Sequence, residues 1–285
     1  MSLDDKRYPA EALSSDSKAG VSVVIPCYRA ADTIQRAVDS VLIQSLSPTE
    51  IIIVDDFSND PETSRALDRL SLQLPDSLTV IRLPKNSGPS AARNSGWEAA
   101  SQEYIAFLDA DDVWAPNKLE IQLPLLQSDK DLAMSGHRME LWSGPDNFSD
   151  SAVNGLRVQR LTPMQLLFRN VLPTPSVVLR RDVQFRFNPE RRFSEDYELW
   201  LRIAFFYGEF EYLDAPLAFS HKARYGEAGL SSQLAKMEAG QTSVYVALFN
   251  EGSFSRGVLV ALLVWGKVRY VRRVAKTILR KITNR

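Results

Sequence analysis

Apolar positions along this chain follow two alternating periods. Val21 to Pro26 is a short, nearly continuous apolar run, the pattern of a strand buried on both faces. Ile34, Val38, Val41 and Leu42 then recur at helical spacing behind Asp32, which stands where an N-cap belongs. The couplet returns three times. Ile51 to Val54 precedes a helix opened by Asp60-Pro61 and carrying Leu67 and Leu70, and Leu78 to Leu83 precedes a helix over Pro89 to Ala100. Tyr104 to Leu108 precedes a helix from Pro116 that bears Leu119, Leu123 and Leu126. Four such units predict an α/β fold with a mostly parallel sheet, because short right-handed crossovers set helices on both faces. Ligands of such sheets lie at the carboxyl ends of the strands.

After residue 130 the alternation loosens. A strand over Leu132 to Trp142, a polar loop over Ser143 to Gly155, a helix start at Thr162-Pro163 and a strand over Ser176 to Leu179 are expected. Ser194 reads as the N-cap of a helix with Glu195 and Asp196 in its positive first turn and Leu199, Trp200 and Ile203 in its body. Trp200 and Leu199 are expected to anchor that helix in the core. From Ser231 onward the chain reads as helix.

Composition narrows the chemistry. The 285 residues supply ample core for independent folding. The longest apolar run, Gly257 to Trp265, falls well short of the roughly 20 residues that cross a bilayer. The polar start lacks the apolar centre of a secretory signal, so a cytoplasmic protein with a loose leader over residues 1–19 is expected. One cysteine, Cys27, excludes an internal disulfide and a thiolate cluster and reads as a packed residue. Two histidines, His137 and His221, exclude a His-rich metal centre, so any cation must rest on oxygen ligands, which favours Mg²⁺ or Mn²⁺. A net charge of −1 carries no nucleic-acid signature.

Against that background the acids stand out. Asp55 and Asp56 close the second strand, and Asp109, Asp111 and Asp112 follow the fourth. Carboxylates at strand ends must stay solvated, pair with a cation or bind a ligand, and a metal-bound phosphate ligand accounts for Asp55, Asp56, Asp109 and Asp111. Read as a strand continuation, Asp109 and Asp111 face one side and converge. Asp112 reads as a cap for the helix near Pro116.

Five segments carry a resemblance: Val21-Ser-Val-Val-Ile-Pro-Cys-Tyr28, Ile51-Ile-Ile-Val-Asp-Asp-Phe-Ser-Asn-Asp60, Asn86-Ser-Gly-Pro-Ser-Ala-Ala-Arg-Asn-Ser-Gly96, Phe107-Leu-Asp-Ala-Asp-Asp112 and Glu195-Asp196-Tyr-Glu-Leu-Trp200. In this order they resemble family 2 glycosyltransferases, inverting, nucleotide-sugar-dependent enzymes of the GT-A fold. The resemblance implies a Rossmann-like catalytic domain over 20–230, with a nucleotide-sugar half over 20–112 and an acceptor half over 113–230, and a helical extension over 231–285. It places the donor nucleotide, a UDP-sugar by preference, against Pro26, Tyr28, Asp56, Gly88, Arg93, Asp109, Ala110 and Asp111. Asp111 becomes the direct ligand of Mg²⁺ or Mn²⁺, with His221 completing the shell or Lys222 and Arg224 clamping pyrophosphate. Arg93 has two open roles, donor contact or support for the acids, and Asp55 and Asp56 alternatively cap the turn that follows them.

Asp196 is the expected catalytic base. An acceptor hydroxyl is a poor nucleophile until a carboxylate takes its proton. One base opposite one metal-held leaving group defines a single in-line displacement that inverts the anomeric centre, unlike the paired carboxylates of glycosidases. Glu195 is the supporting acid, and Thr174-Pro-Ser176 falls where relatives line the acceptor pocket. Two departures bear on donor identity: Arg29 stands where many relatives carry Asn, and Phe57 where many carry Gly. The Gln-x-x-Arg-Trp motif of processive synthases does not occur, which implies single transfers.

The tail from Val258 to Arg285 mixes apolar residues with Lys267, Arg269, Arg272, Arg273, Lys276, Arg280 and Lys281. Two readings stay open: an interfacial helix on an anionic membrane, suited to a lipid-linked saccharide acceptor on the inner face of the cytoplasmic membrane, or a helix packed on the protein. The resemblance points to bacterial surface polysaccharide synthesis. The rival function is a non-catalytic sugar-nucleotide-binding protein that keeps the fold.

Overall fold

The computed structural model describes residues 18–144, 156–221 and 233–283. Most of the expected leader, the polar loop after Gly144, and Lys222 and Arg224 lie outside the described residues.

Strands β1 (Ala19–Cys27), β2 (Pro48–Asp55), β3 (Leu78–Arg82) and β4 (Tyr104–Phe107) alternate with helices α1 (Ile34–Leu42), α2 (Pro61–Gln73) and α3 (Pro89–Ala99). A short β5 (Asp112–Trp114) leads into α4 (Lys118–Ser128), β6 (Met134–Leu141), β7 (Val158–Leu161) and α5 (Pro163–Phe168). A 3-10 turn over Thr174–Ser176, β8 (Val178–Arg180), α6 (Glu195–Tyr207), β9 (Phe210–Ser220), α7 (Leu234–Asn250) and α8 (Arg256–Thr283) complete the described chain. The sheet runs β3-β2-β1-β4-β8-β6-β9-β5, with β7 also paired to β9. Strands β1 to β4 are mutually parallel, β8 runs against β4 and β6, and β5 and β7 run against β9.

Strand alternation divides the core in two. Val24, Ile52, Val54, Ile105 and Phe107 face α3, α6 and α7, where Trp97, Trp200, Tyr197 and Tyr245 are buried. Val21, Val23, Ile25, Ile51 and Ile53 face α1, α2 and α4 through Ile34, Val38, Leu67, Leu119 and Leu123. Helix α3 lies so close to the sheet that a Cβ at Gly96 would meet Val24 Cγ1 at 2.4 Å. This packing fixes α3, and with it Arg93, against the strand ends.

The four β-α units match the expectation, and several local features differ. Thr33, not Asp32, holds the N-cap position of α1, and it makes no side-chain capping bond. Ser194 does hold the N-cap position of α6, but its backbone is left-handed, with φ 60°, and it also makes no capping bond. Asp112 is not a helix cap. It is buried in β5, and Asn117 precedes α4. The expected strand over Ser176 to Leu179 is a 3-10 turn followed by β8. Strands β7 and β9 were not foreseen, and the C-terminal helix is broken between Asn250 and Arg256.

Helix α8 packs against the body through buried Leu262, through Trp265 Nε1 donating to the Phe168 carbonyl at 3.2 Å, and through Arg269 donating to the Tyr245 hydroxyl at 2.7 Å. Its other side exposes Val260, Val264, Val268 and Val271. No helix among the described residues is long and apolar enough to cross a membrane.

Candidate active site

The carboxyl ends of β1 and β2 form a rim held by its own backbone. Pro26 pairs with Val54 across the two strands, and Tyr28 beyond them is 47% exposed. Cys27 is packed as expected; burial, aided by Asp55, pushes its thiol up to about 12, which removes it as a nucleophile. Asp55 Oδ1 accepts from both the amide and the hydroxyl of Ser58, so this carboxylate shapes the turn. Asp56 reaches the next loop: Oδ1 accepts from the Ser87 amide at 2.6 Å and Oδ2 from the Gly88 amide at 2.8 Å. Gly88, at φ 88°, is the N-cap of α3, where a side chain would strain the backbone. Asp56 therefore fastens the entry to α3, and each of its oxygens keeps a second lone pair for a ligand N–H. Arg29 and Phe57, the two departures, both adopt left-handed backbone, with φ 49° and 58°. The residue types common at these positions, Asn and Gly, are the ones that adopt that conformation readily.

The second group centres on Arg93. Its guanidinium is buried, donating to Asp109 Oδ1 at 2.8 Å and to Glu195 Oε1 at 3.2 Å. Burial opposes this charge, yet Asp109 and Glu195 hold it above the ordinary arginine range. Arg93 thus ties the end of β4 to the start of α6. Of the acids in the first turn of α6, Glu195 pairs with Arg93 and Glu198 with Arg191 and Arg202. Asp196 forms no ion pair with a described residue. It accepts from the Thr174 hydroxyl at 3.2 Å and from the Tyr197 amide at 2.7 Å. Burial raises both Glu195 and Asp196 above the ordinary carboxylate range, repulsion from Asp196 adds to the rise at Glu195, and Arg93 opposes both.

Asp109, Ala110 and Asp111 form a turn, not a strand continuation, closed by the Asp112 amide donating to the Asp109 carbonyl at 3.1 Å. Ala110 packs into the core and leaves the flanking acids half-buried. Their surroundings diverge: Asp109 turns to Arg93, while Asp111 lies by Arg36 and His221. Strand β5 pairs Asp112 with Ser220 in an antiparallel ladder, so the next position outward sets Asp111 against His221. Arg36 donates to the Asp111 carbonyl at 3.3 Å. Burial and the nearby Arg36 lower His221 below its usual range, against the pull of Asp111, which favours the neutral imidazole that binds metals.

No group of three or more His, Cys, Asp or Glu able to hold a metal occurs among the described residues. Asp111 and His221 would fit two positions of a divalent cation's shell, since carboxylate and neutral imidazole are both acceptable donors. Arg36 and the Thr174–Asp196 bond were missed in the sequence. Arg36 sits on a helix with no motif around it, and Thr174 meets Asp196 only through the fold.

The pattern describing glycosyl transferase family 2 matches residues 22–206. The UDP-Glc:alpha-D-GlcNAc-diphosphoundecaprenol beta-1,3-glucosyltransferase WfgD of Escherichia coli is 32% identical over 188 residues, covering 64% of this chain and 69% of that protein. The amylovoran biosynthesis glycosyltransferase AmsB of Erwinia amylovora is 30% identical over 217 residues, covering 70% and 69%. An uncharacterized Nostoc glycosyltransferase is 39% identical over 132 residues, a match that spans 46% of this chain and 40% of the Nostoc protein's length. Among solved structures, Staphylococcus aureus TarS with UDP-GlcNAc aligns with a TM-score of 0.64 at 20% identity, covering 85% of this chain and 70% of that one. The mannosyltransferase PcManGT of Pyrobaculum calidifontis, with GDP-Man and Mn²⁺, aligns with a TM-score of 0.65 at 17% identity, covering 93% and 76%. These two likenesses establish the GT-A fold.

Proposed function

The chain belongs to glycosyl transferase family 2, and we propose that it transfers one sugar from a nucleoside diphosphate sugar, a UDP-sugar by preference, to a saccharide or lipid-linked saccharide, with inversion. The observation that carries this reading is Arg93, whose buried fork draws Asp109 and the first turn of α6 together. The donor nucleoside lies along the rim of Tyr28 and Asp56, and its diphosphate extends toward Asp109, Asp111 and Arg36. Mg²⁺ or Mn²⁺ held by Asp111 and His221 would offset negative charge on the diphosphate. Arg36 adds a fixed positive charge on the same side.

Asp196, ionised and free of a cation partner among the described residues, takes the proton of the acceptor hydroxyl. The hydroxyl oxygen attacks the anomeric carbon opposite the phosphate, the bond to the β-phosphate oxygen breaks, and the nucleoside diphosphate leaves. Glu195 stays paired with Arg93 and keeps the start of α6 in place.

The acceptor class draws on the WfgD likeness and on α8. The exposed Val260, Val264, Val268 and Val271 recur at helical spacing beside exposed Lys267 and Arg272, a face suited to lie in an anionic lipid interface. The double substitution V264E/V268E is expected to weaken cosedimentation with phosphatidylglycerol vesicles, and equal sedimentation of both forms would sink the membrane assignment.

The donor assignment is tested by thermal shift with UDP-, dTDP- and GDP-sugars, with and without Mn²⁺, on wild type and D111A. A stabilisation by one nucleotide that needs Mn²⁺ and disappears in D111A is expected. A shift insensitive to EDTA, or retained in D111A, overturns the metal role of Asp111.

A further inference from the structure

Three buried side chains after the Asp109–Asp111 turn connect to the segment that meets Asp196. Trp114 Nε1 donates to the Pro175 carbonyl at 2.9 Å, and Gln122 Nε2 donates to the Ser176 carbonyl at 2.9 Å and to Ser135 Oγ at 3.1 Å. Both donors are completely buried. Lys118, also completely buried and one helical turn before Gln122, gives its Nζ to Gln122 Oε1 at 2.8 Å while lying 4.2 Å from the centre of the Trp114 ring. A lysine amine offers hydrogens to a carbonyl oxygen, so this contact fixes which end of the Gln122 amide faces the turn. The gripped segment is Thr174–Ser176, and its first residue donates to Asp196 Oδ2.

From this chain of contacts we infer that Thr174, Trp114, Gln122 and Lys118 are positioning residues for the base, aiming the Asp196 carboxylate at the acceptor hydroxyl. The inference rests on the reading of Asp196 as base. Trp114 ends β5, the strand that follows the Asp109–Asp111 turn, and Lys118 and Gln122 come from α4 just beyond it. The segment that carries the donor-facing acids therefore also sets the orientation of the base. Arg93 provides the other tie between the two sides, from Asp109 to Glu195. The Tyr197 amide holds Asp196 Oδ1 and the Thr174 hydroxyl holds Oδ2, so loss of the second bond lets the carboxylate turn about the first, and a misaimed base loses rate without losing donor binding.

The Thr174 hydroxyl also stabilises the ionised form of Asp196. The charged groups facing that carboxylate are Arg93 from α3, Asp109 from the turn after β4 and Glu195 beside it on α6. With those unchanged, loss of the hydroxyl raises the Asp196 pKa and moves the acid limb of the rate profile to higher pH.

The experiment compares T174V, T174S and W114F with wild type in kcat, donor KM and the pH profile of kcat, using the donor found by thermal shift. T174V is nearly isosteric and keeps the fold; it is expected to lower kcat about tenfold, the size of a lost hydrogen bond to a charged group, with donor KM unchanged and the acid limb displaced upward. T174S restores both. W114F, which keeps an aromatic ring but removes the pyrrole half of the indole with its Nε1 donor, lowers kcat with donor KM unchanged. A T174V enzyme with wild-type kcat and an unmoved profile overturns the inference, as does a W114F enzyme that loses thermal stability but keeps kcat. D196N run alongside separates the two readings: if it stays active, the base assignment fails; if it is inactive while T174V is normal, only the positioning role fails.

Discussion

The two sides of this crevice hold their carboxylates in opposite ways. On the rim, Asp55 and Asp56 give their oxygens to backbone amides and a hydroxyl of neighbouring loops, and the aromatic residues beside them, Tyr28 and Phe57, stand exposed. At the start of α6, Glu195 is buried and Asp196 half-buried, and there loss of solvation lifts both above the ordinary range. An acid held by amide donors is a fastening, since those bonds fix its direction, and at Asp56 they leave a lone pair on each oxygen for a ligand. An acid raised by burial is a stronger proton acceptor than an ordinary carboxylate. The same residue type is thus braced by loop backbone on one side and raised by burial on the other.

Arg93 joins the sides, so its removal breaks the comparison most severely. R93M leaves buried Glu195 and half-buried Asp109 without their cation and is expected to destabilise the fold by about 3 kcal/mol, with turnover lost. R93K, which cannot fork between both acids, should recover part of the stability and little of the activity. Chemical denaturation with parallel assays checks both. If R93M keeps near-native stability, the acids are not held together by this cation.

A smaller effect sharpens the rim side. Phe57 sits in left-handed backbone at φ 58°, and such a conformation costs an ordinary residue about 1–2 kcal/mol. F57G relieves that strain, while the freer unfolded glycine offsets about 0.5–1 kcal/mol of the gain. The net expectation is a melting temperature raised by about 2 °C. A fall would mean that the Phe57 side chain secures the rim through contacts worth more than the strain.

These contrasts also explain what was legible beforehand. The four β-α units were readable because buried parallel strands and amphipathic helices leave strong local periodicities. Strand β9 was not, since Asp214 and Pro216 interrupt its pattern, and the ladder to β6 shifts register there. Strand β5 was hidden by its length, three residues. Within the site, the identity of Asp56, Arg93, Asp111 and Asp196 as the chemistry-bearing residues came from motif and spacing. Their partners did not: the amides of Ser87 and Gly88, Arg36, and the Thr174 hydroxyl meet these acids through tertiary packing that no local pattern encodes. The turn at Asp109–Asp111 likewise replaced an expected strand continuation because its closing bond forms within the segment itself.

The most direct test of the account is D196N, measured for turnover and donor affinity together, with melting curves at two pH values. The side chain is nearly isosteric, so the account predicts unchanged donor affinity and a fall in turnover of about 10³-fold. The sign of the pH effect follows from the raised pKa: ionising Asp196 weakens the native state as pH rises through its folded value, and Asn is spared this. The stability of D196N relative to wild type should therefore grow as pH rises from the ordinary carboxylate range through the raised folded value of Asp196. Wild-type turnover in D196N would contradict the central claim that Asp196 is the base.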